Sequence, residues 1–202
     1  MLTSKQIGLF ILRLTLFFTV LAIPWPGTAR AYSVLFCGSG NVLFATFWPQ
    51  AVIEFQTVGA DRDPAEVKIA VETLKPPAAQ TTQLDARMTG YLPIAQVLAL
   101  ILATPIPWSR RWKALVWGFL LVNLFVAVRV WSILVFTLSS VAQHITNLGE
   151  LSADLISILA SPTPAFLVPP LVWLLVVLRP ADLARFSAEL GADVARRSRR
   201  AD

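Results

Sequence analysis

Two rhythms of apolar and polar residues divide this chain. Residues 7–23, 91–107, 114–138 and 155–178 are apolar almost throughout. A helix of roughly 20 apolar residues crosses a hydrocarbon core of ~30 Å, so each run predicts a membrane-spanning helix. Between the first two runs the pattern changes to period two. Ile53 and Phe55 alternate with Glu54 and Gln56. Val67, Ile69 and Val71 alternate with Glu66, Lys68 and Glu72, and a third stretch alternates through Leu84, Ala86 and Met88. Such alternation predicts three half-buried strands. Turn chemistry at Asp61-Arg62-Asp63-Pro64 and Lys75-Pro76-Pro77 separates them. Three strands stand near the lower limit of independent stability, so the apolar face of this sheet needs a cover. The expected fold is a membrane α-helical protein of about four transmembrane helices, with a small extracytoplasmic antiparallel β domain between helices 1 and 2.

Charge sets the orientation. The turn at 108–113, WSRRWK, carries Arg110, Arg111 and Lys113 without an acid. Basic residues stay on the cytoplasmic side, which places this turn inside, in contact with lipid headgroups. Trp108, Trp112 and Trp117 fit an aromatic belt at the same interface. Segment 179–202 is an Arg-rich amphipathic tail with Arg179, Arg185, Arg196 and Arg197, suited to anionic lipid on the cytoplasmic face. Segment 1–31 is a first transmembrane helix or a signal-like anchor. Ala29-Arg30-Ala31 has the small residues of a signal-peptidase site, while a retained helix agrees better with a polytopic chain. Segment 32–90 is then outside and 91–178 forms the bundle. Residues 139–154 place Val141, Ile145, Leu148 and Leu151 on one stripe and predict an amphipathic outer helix. Pro162 and Pro164 predict a break in the last run. The glycines of CGSGN, from Cys37 to Asn41, predict a turn between two interfacial pieces, or a cover for the strands. These features describe a multi-pass protein of a bacterial-type inner membrane with both termini cytoplasmic.

Composition narrows the chemistry. The chain has 202 residues, 56% hydrophobic and only 14% charged, too apolar for a soluble domain of this size. Its net charge of +5 comes from the turn and the tail, and no basic patch is interleaved with aromatics. Nucleic acid is therefore not an expected partner. The expected partners are the bilayer, anionic lipid and another membrane protein. A single cysteine excludes an intrachain disulfide and a multi-cysteine zinc site. Asp61 and Asp63 lack further oxygen ligands at calcium-loop spacing, and CGSG lacks the Lys-Ser/Thr of a phosphate loop. No metal or cofactor is expected.

Cys37 and His144 are the only cysteine and histidine, and Arg129 is the charge within the third apolar run. Arg129 follows Lys113 by about 24 Å of helix rise, which places it in the outer half of the bilayer. A thiolate nucleophile, a histidine base and an arginine for an oxyanion form an acyl-transfer set. Each has a plainer role. Cys37 can be a small buried thiol, His144 an interfacial polar residue, and Arg129 a side chain that snorkels or pairs with Asp154.

The span, basic turn and second span carrying Asn123 and Arg129 in an N-x5-R pattern, followed by an outer His144, resemble the core of the exosortase/archaeosortase family. That resemblance covers 91–178 and implies a Cys/Arg/His transpeptidase or cysteine protease at the outer membrane face. The family cysteine opens the span before the basic turn, where this chain has Thr89-Gly90-Tyr91, and the family's Asn–Arg spacing is shorter. The layout of one span, a small strand domain and a short bundle is also similar to small membrane proteins associated with exosortase systems. That second likeness implies an accessory or scaffolding role.

Overall fold

The computed structural model describes residues 4–23, 27–44, 51–57, 66–74, 77–141 and 150–178. Two helices, α1 (Ser4–Ala22) and α2 (Thr28–Phe44), precede three strands, β1 (Ala51–Thr57), β2 (Glu66–Leu74) and β3 (Pro77–Asp85). A π-helical turn, Arg87–Tyr91, leads into α3 (Leu92–Ala103), followed by α4 (Trp108–Val141), α5 (Glu150–Ala160) and α6 (Pro164–Val177). The architecture is helical with one small antiparallel sheet, in the order β1-β2-β3. His144 and the tail residues Arg179, Arg185, Arg196 and Arg197 lie outside the described residues, as do Asp61, Asp63 and most of the stripe expected at 139–154.

Period-two alternation gives the sheet one dry face. Ile53, Phe55, Val67, Ile69 and Val71 are all buried, while Glu54, Gln56, Lys68 and Glu72 are exposed. The register pairs Phe55 with Ile69 and Ile69 with Thr82. The third strand differs from expectation. It begins at Pro77 and ends at Asp85, whose Oδ1 accepts the backbone N–H groups of Arg87 at 2.8 Å and Met88 at 3.2 Å. A carboxylate that captures these amides starts a helix, as a cap does. Ala86 is buried at the junction and Met88 is exposed on the π-helical turn, so the alternation through them does not mark a strand.

Helix α4 is the spine. Near its start, Ala114 and Val122 pack with Val97 and Ile101 of α3 and Val172 and Val177 of α6. Farther along, Val126, Val130, Leu134 and Leu138 recur every four residues and form one core with Ile53, Phe55, Val67, Ile69 and Val71. A spacing of four keeps residues on one helix face, so one continuous helix serves two cores in succession.

Helix α2 replaces the expected turn at CGSG. The segment is helical from Thr28 to Phe44 and covers the sheet through Phe36, Cys37 and Phe44. The small residues permit close approach. A Cβ at Gly40 would stand 2.8 Å from the Phe55 ring. Of the stretch 139–154, where an outer amphipathic helix is expected, Ser139–Val141 belong to α4 and Glu150–Asp154 to α5, and the residues between lie outside the described ones.

Among the described residues, one helix is long and apolar enough to cross a membrane, Trp108–Ser139 within α4. The apolar segments Ile7–Ala22 and Arg87–Ala103 are shorter, and the last run is two helices bent by 86° between Ala160 and Pro164. The expectation of four full-length spans is therefore narrowed to one. Pro162 and Pro164 account for the bend, because proline removes a helical donor and restricts the residue before it.

The basic turn holds helix ends. Arg110 Nη2 donates to the Val177 carbonyl at 2.6 Å, at the end of α6. Arg111 Nη2 donates to the carbonyls of Thr104 and Ile106 at 3.1 and 3.2 Å, and its guanidinium lies 5.5 Å over the Trp108 ring. Terminal carbonyls have no partner within their own helix, and cations there complement the helix dipole. Arg87 and Tyr91 serve α1 in the same way, donating to the Ala22 and Leu21 carbonyls. Lys113, Trp108, Trp112 and Trp117 are exposed.

Candidate functional site

Among the described residues, Arg129 is the one charged side chain that is buried. It lies on α4 and is only 5% exposed. Its Nη2 donates to the Ser161 carbonyl at 3.3 Å, while Nε and Nη1 are buried without a partner. Ser161 stands at the bend between α5 and α6, where the chain's change of direction frees carbonyls from helical bonding. No ion pair to Arg129 is present among the described residues. Asp154, a candidate partner from the sequence, is exposed. A buried guanidinium cannot lose its proton, so it demands acceptors or a counter-charge, and leaving it short costs several kcal/mol, roughly.

A cavity of about 410 Å³ lies between β3, the upper part of α4 and the α5–α6 bend, and Arg129 is not among the residues that line it. Ser161 is shared between the two. Gln80, Thr82, Thr137 and Ser157 supply further polar groups, and Ile133 and Phe136 supply apolar wall. Thr137 donates to the Ile133 carbonyl at 2.9 Å and stands 3.3 Å from the Thr82 hydroxyl, so Thr82 donates across this contact. Among the described residues no acid lines the cavity.

Cys37 occupies a different environment. It is 7% exposed, on α2, in the apolar core between the sheet and α4. Burial pushes its thiol above the ordinary value, which favours the neutral form over the thiolate nucleophile. Tyr32, one turn before it, is pushed up to about 12 by the same cause. Cys37 shares its cluster with Val126 and Val130, whereas Arg129 reaches toward Ser161. The N-x5-R pattern does not converge either. Six positions on a helix turn its ends about 120° apart. Asn123 donates to the Phe119 carbonyl at 2.8 Å and lines a second, aromatic groove of about 550 Å³ with Tyr32, Phe36 and Tyr91.

Sequence reasoning thus identified Arg129 and missed the cavity. Ser157, Ser161, Thr82 and Gln80 come from two distant elements, and only Thr137, eight residues after Arg129 on the same helix, carried a local signal. Among the described residues no cluster of His, Cys, Asp or Glu could hold a metal ion. The chain matches no protein-family model, no curated protein and no solved structure.

Proposed function

We propose that this is a multi-pass inner-membrane protein without catalytic chemistry of its own, an accessory or scaffold for an exosortase-type protein sorting or envelope-assembly system. In this reading the sheet stands outside, the basic turn stands inside, and the shorter apolar helices α1, α3 and α6 lie in the bilayer beside α4. The exposed apolar side chains support that placement. Ile7, Leu9, Ile11, Leu12 and Leu16 of α1 and Leu167, Leu171 and Leu175 of α6 are uncovered, a surface suited to acyl chains and costly in water.

The observation that carries the non-catalytic reading is the sealing of the chain's only thiol in the core behind α2, with its ionisation suppressed. Complementation of a deletion strain tests it. Cys37→Ala at normal membrane abundance retains full function on this account. Loss of function in that variant favours the Cys37/Arg129/His144 transpeptidase instead.

A further inference from the structure

We infer that the free edge of β3 takes up an extended peptide segment of another protein as a fourth strand of the sheet. The pairing register shows which backbone groups are free. Phe55 gives its N–H and C=O to Asn41, away from β2, so Phe55 and Ile69 face each other without mutual hydrogen bonds. Ile69 therefore turns its own N–H and C=O toward β3, where it faces Thr82. Bonded and non-bonded pairs alternate along an antiparallel ladder, so Gln80, Thr82 and Leu84 bond β2, and Thr81 and Gln83 turn their backbone groups outward. Among the described residues nothing bonds these outward groups of Thr81 and Gln83. The two edges of the sheet thus differ. A carboxamide from α2 satisfies β1 at Phe55, while β3 has no such cover. Its outward residues Thr81 and Gln83 are exposed and uncharged, without the charged guards that keep other chains off an open edge.

The cavity of about 410 Å³ opens along this edge. On the dry side of the sheet Val67, Ile69 and Val71 are fully buried, but their β3 partners Leu84, Thr82 and Gln80 are only half-buried. The sheet ends at β3, and the cavity separates that strand from α5. A fourth strand would close this gap and send alternate side chains into it. The hydroxyls there are already engaged. Ser157 and Ser161 donate to the Asp154 and Ile158 carbonyls, and Thr82 and Thr137 bond each other. Among the described residues no charged side chain lines the space, so the complementary side chains are small and apolar, and main-chain bonds supply the affinity. A second copy of this chain does not fit. Val126, Val130, Leu134 and Leu138 meet the sheet core over ~18 Å of α4, so that helix runs along the sheet. Pairing β3 with its own copy requires a two-fold axis perpendicular to the sheet, and hence to α4, which would insert one copy upside down. The inference rests on the membrane placement and accessory role proposed above, and gives that role its contact.

Fluorescence anisotropy of a labelled peptide of alternating valine and threonine, with lysine at each end, tests it against the full chain in maltoside detergent. Wild type should bind this peptide, and binding should slow hydrogen exchange at the Thr81 and Gln83 amides. Gln83→Pro removes one outward N–H and leaves the ladder to β2 intact, so it should weaken binding by roughly tenfold or more at an unchanged melting temperature. Methylation of one alternate set of peptide nitrogens should abolish binding and methylation of the other set should spare it, since one edge of the added strand faces β3. That comparison uses wild-type protein and decides the question if Gln83→Pro does not fold. Absence of binding by wild type, equal binding by Gln83→Pro, or equal effects of the two methylated sets would overturn the site. Self-association of wild type that Gln83→Pro abolishes would overturn the foreign partner in favour of a second copy. Complementation by Gln83→Pro is read separately, so failure of the edge site and failure of the accessory role remain distinct.

Discussion

Asn41 on α2 pairs with Phe55 on β1 as a neighbouring strand would. Its side-chain Nδ2 donates to the Phe55 carbonyl at 3.1 Å, and its Oδ1 accepts the Phe55 N–H at 2.8 Å. Strand β1 is an edge of the sheet, and an edge presents unpaired backbone groups that recruit other chains. A helix cannot extend a ladder, but one carboxamide can satisfy one residue of it.

Asn41→Leu keeps the side-chain volume and removes both bonds. The Phe55 amide and carbonyl then lose their partner, which should cost about 1–3 kcal/mol. A lower melting temperature in detergent, with increased self-association through β1, is the expected result. An unchanged melting temperature would remove the docking role given to this pair.

The close approach of α3 to α4 depends on Gly118. A Cβ there would meet Ile101 Cδ1 at 2.7 Å and Val97 Cγ1 at 3.1 Å. Gly118→Val should therefore destabilise the helix pair by about 1–3 kcal/mol through overpacking. Gly8 has open space around the same added atom, so Gly8→Ala should be neutral or stabilising by up to about 1 kcal/mol. Thermal melts of the two variants in one detergent compare them directly.

Some of this arrangement was legible in the sequence because its cause is local. The alternation of Val67, Ile69 and Val71 with charged neighbours fixes which face of β2 is dry, whatever surrounds it. The prolines at 162 and 164 likewise mark the bend. The helicity of CGSG was not legible, because glycines favour a turn in isolation, and Gly40 here admits the Phe55 ring, a residue fifteen positions away. The start of β3 at Pro77 was hidden for a similar reason. Its small and polar residues show no alternation, and their strand conformation comes from pairing with β2. The double use of α4 also escapes a reading by hydropathy, since the stripe Val126, Val130, Leu134 and Leu138 looks the same whether it meets lipid or a sheet.

The sheet core should tolerate no charge. Ile69 is 1% exposed and pairs with Phe55 on one side and Thr82 on the other. Ile69→Asp buries a carboxylate without a partner and should cost several kcal/mol, roughly. Reduced accumulation and rapid proteolysis of the 32–90 region are expected, and normal protease resistance would contradict the assigned face.

The Cys37 thiol should resist modification. Burial raises its titration above the ordinary thiol value of about 8.5, so the folded protein holds the neutral form. The corresponding stability is fully present below that ordinary value and is lost as pH rises through the raised one. A permeant maleimide should label native protein slowly at pH 7 and denatured protein within the mixing time. Fast labelling of the native protein at pH 7 would contradict the sealed core on which the non-catalytic reading stands.

The central claim is that α4 carries the chain from an inner basic turn to an outer sheet. Single cysteines introduced at Lys75 and Trp112 in a Cys37→Ala background test it most directly, through labelling of intact cells with an impermeant maleimide. The account predicts labelling at 75 in intact cells and labelling at 112 only after permeabilisation. Labelling of both positions from the same side would contradict it.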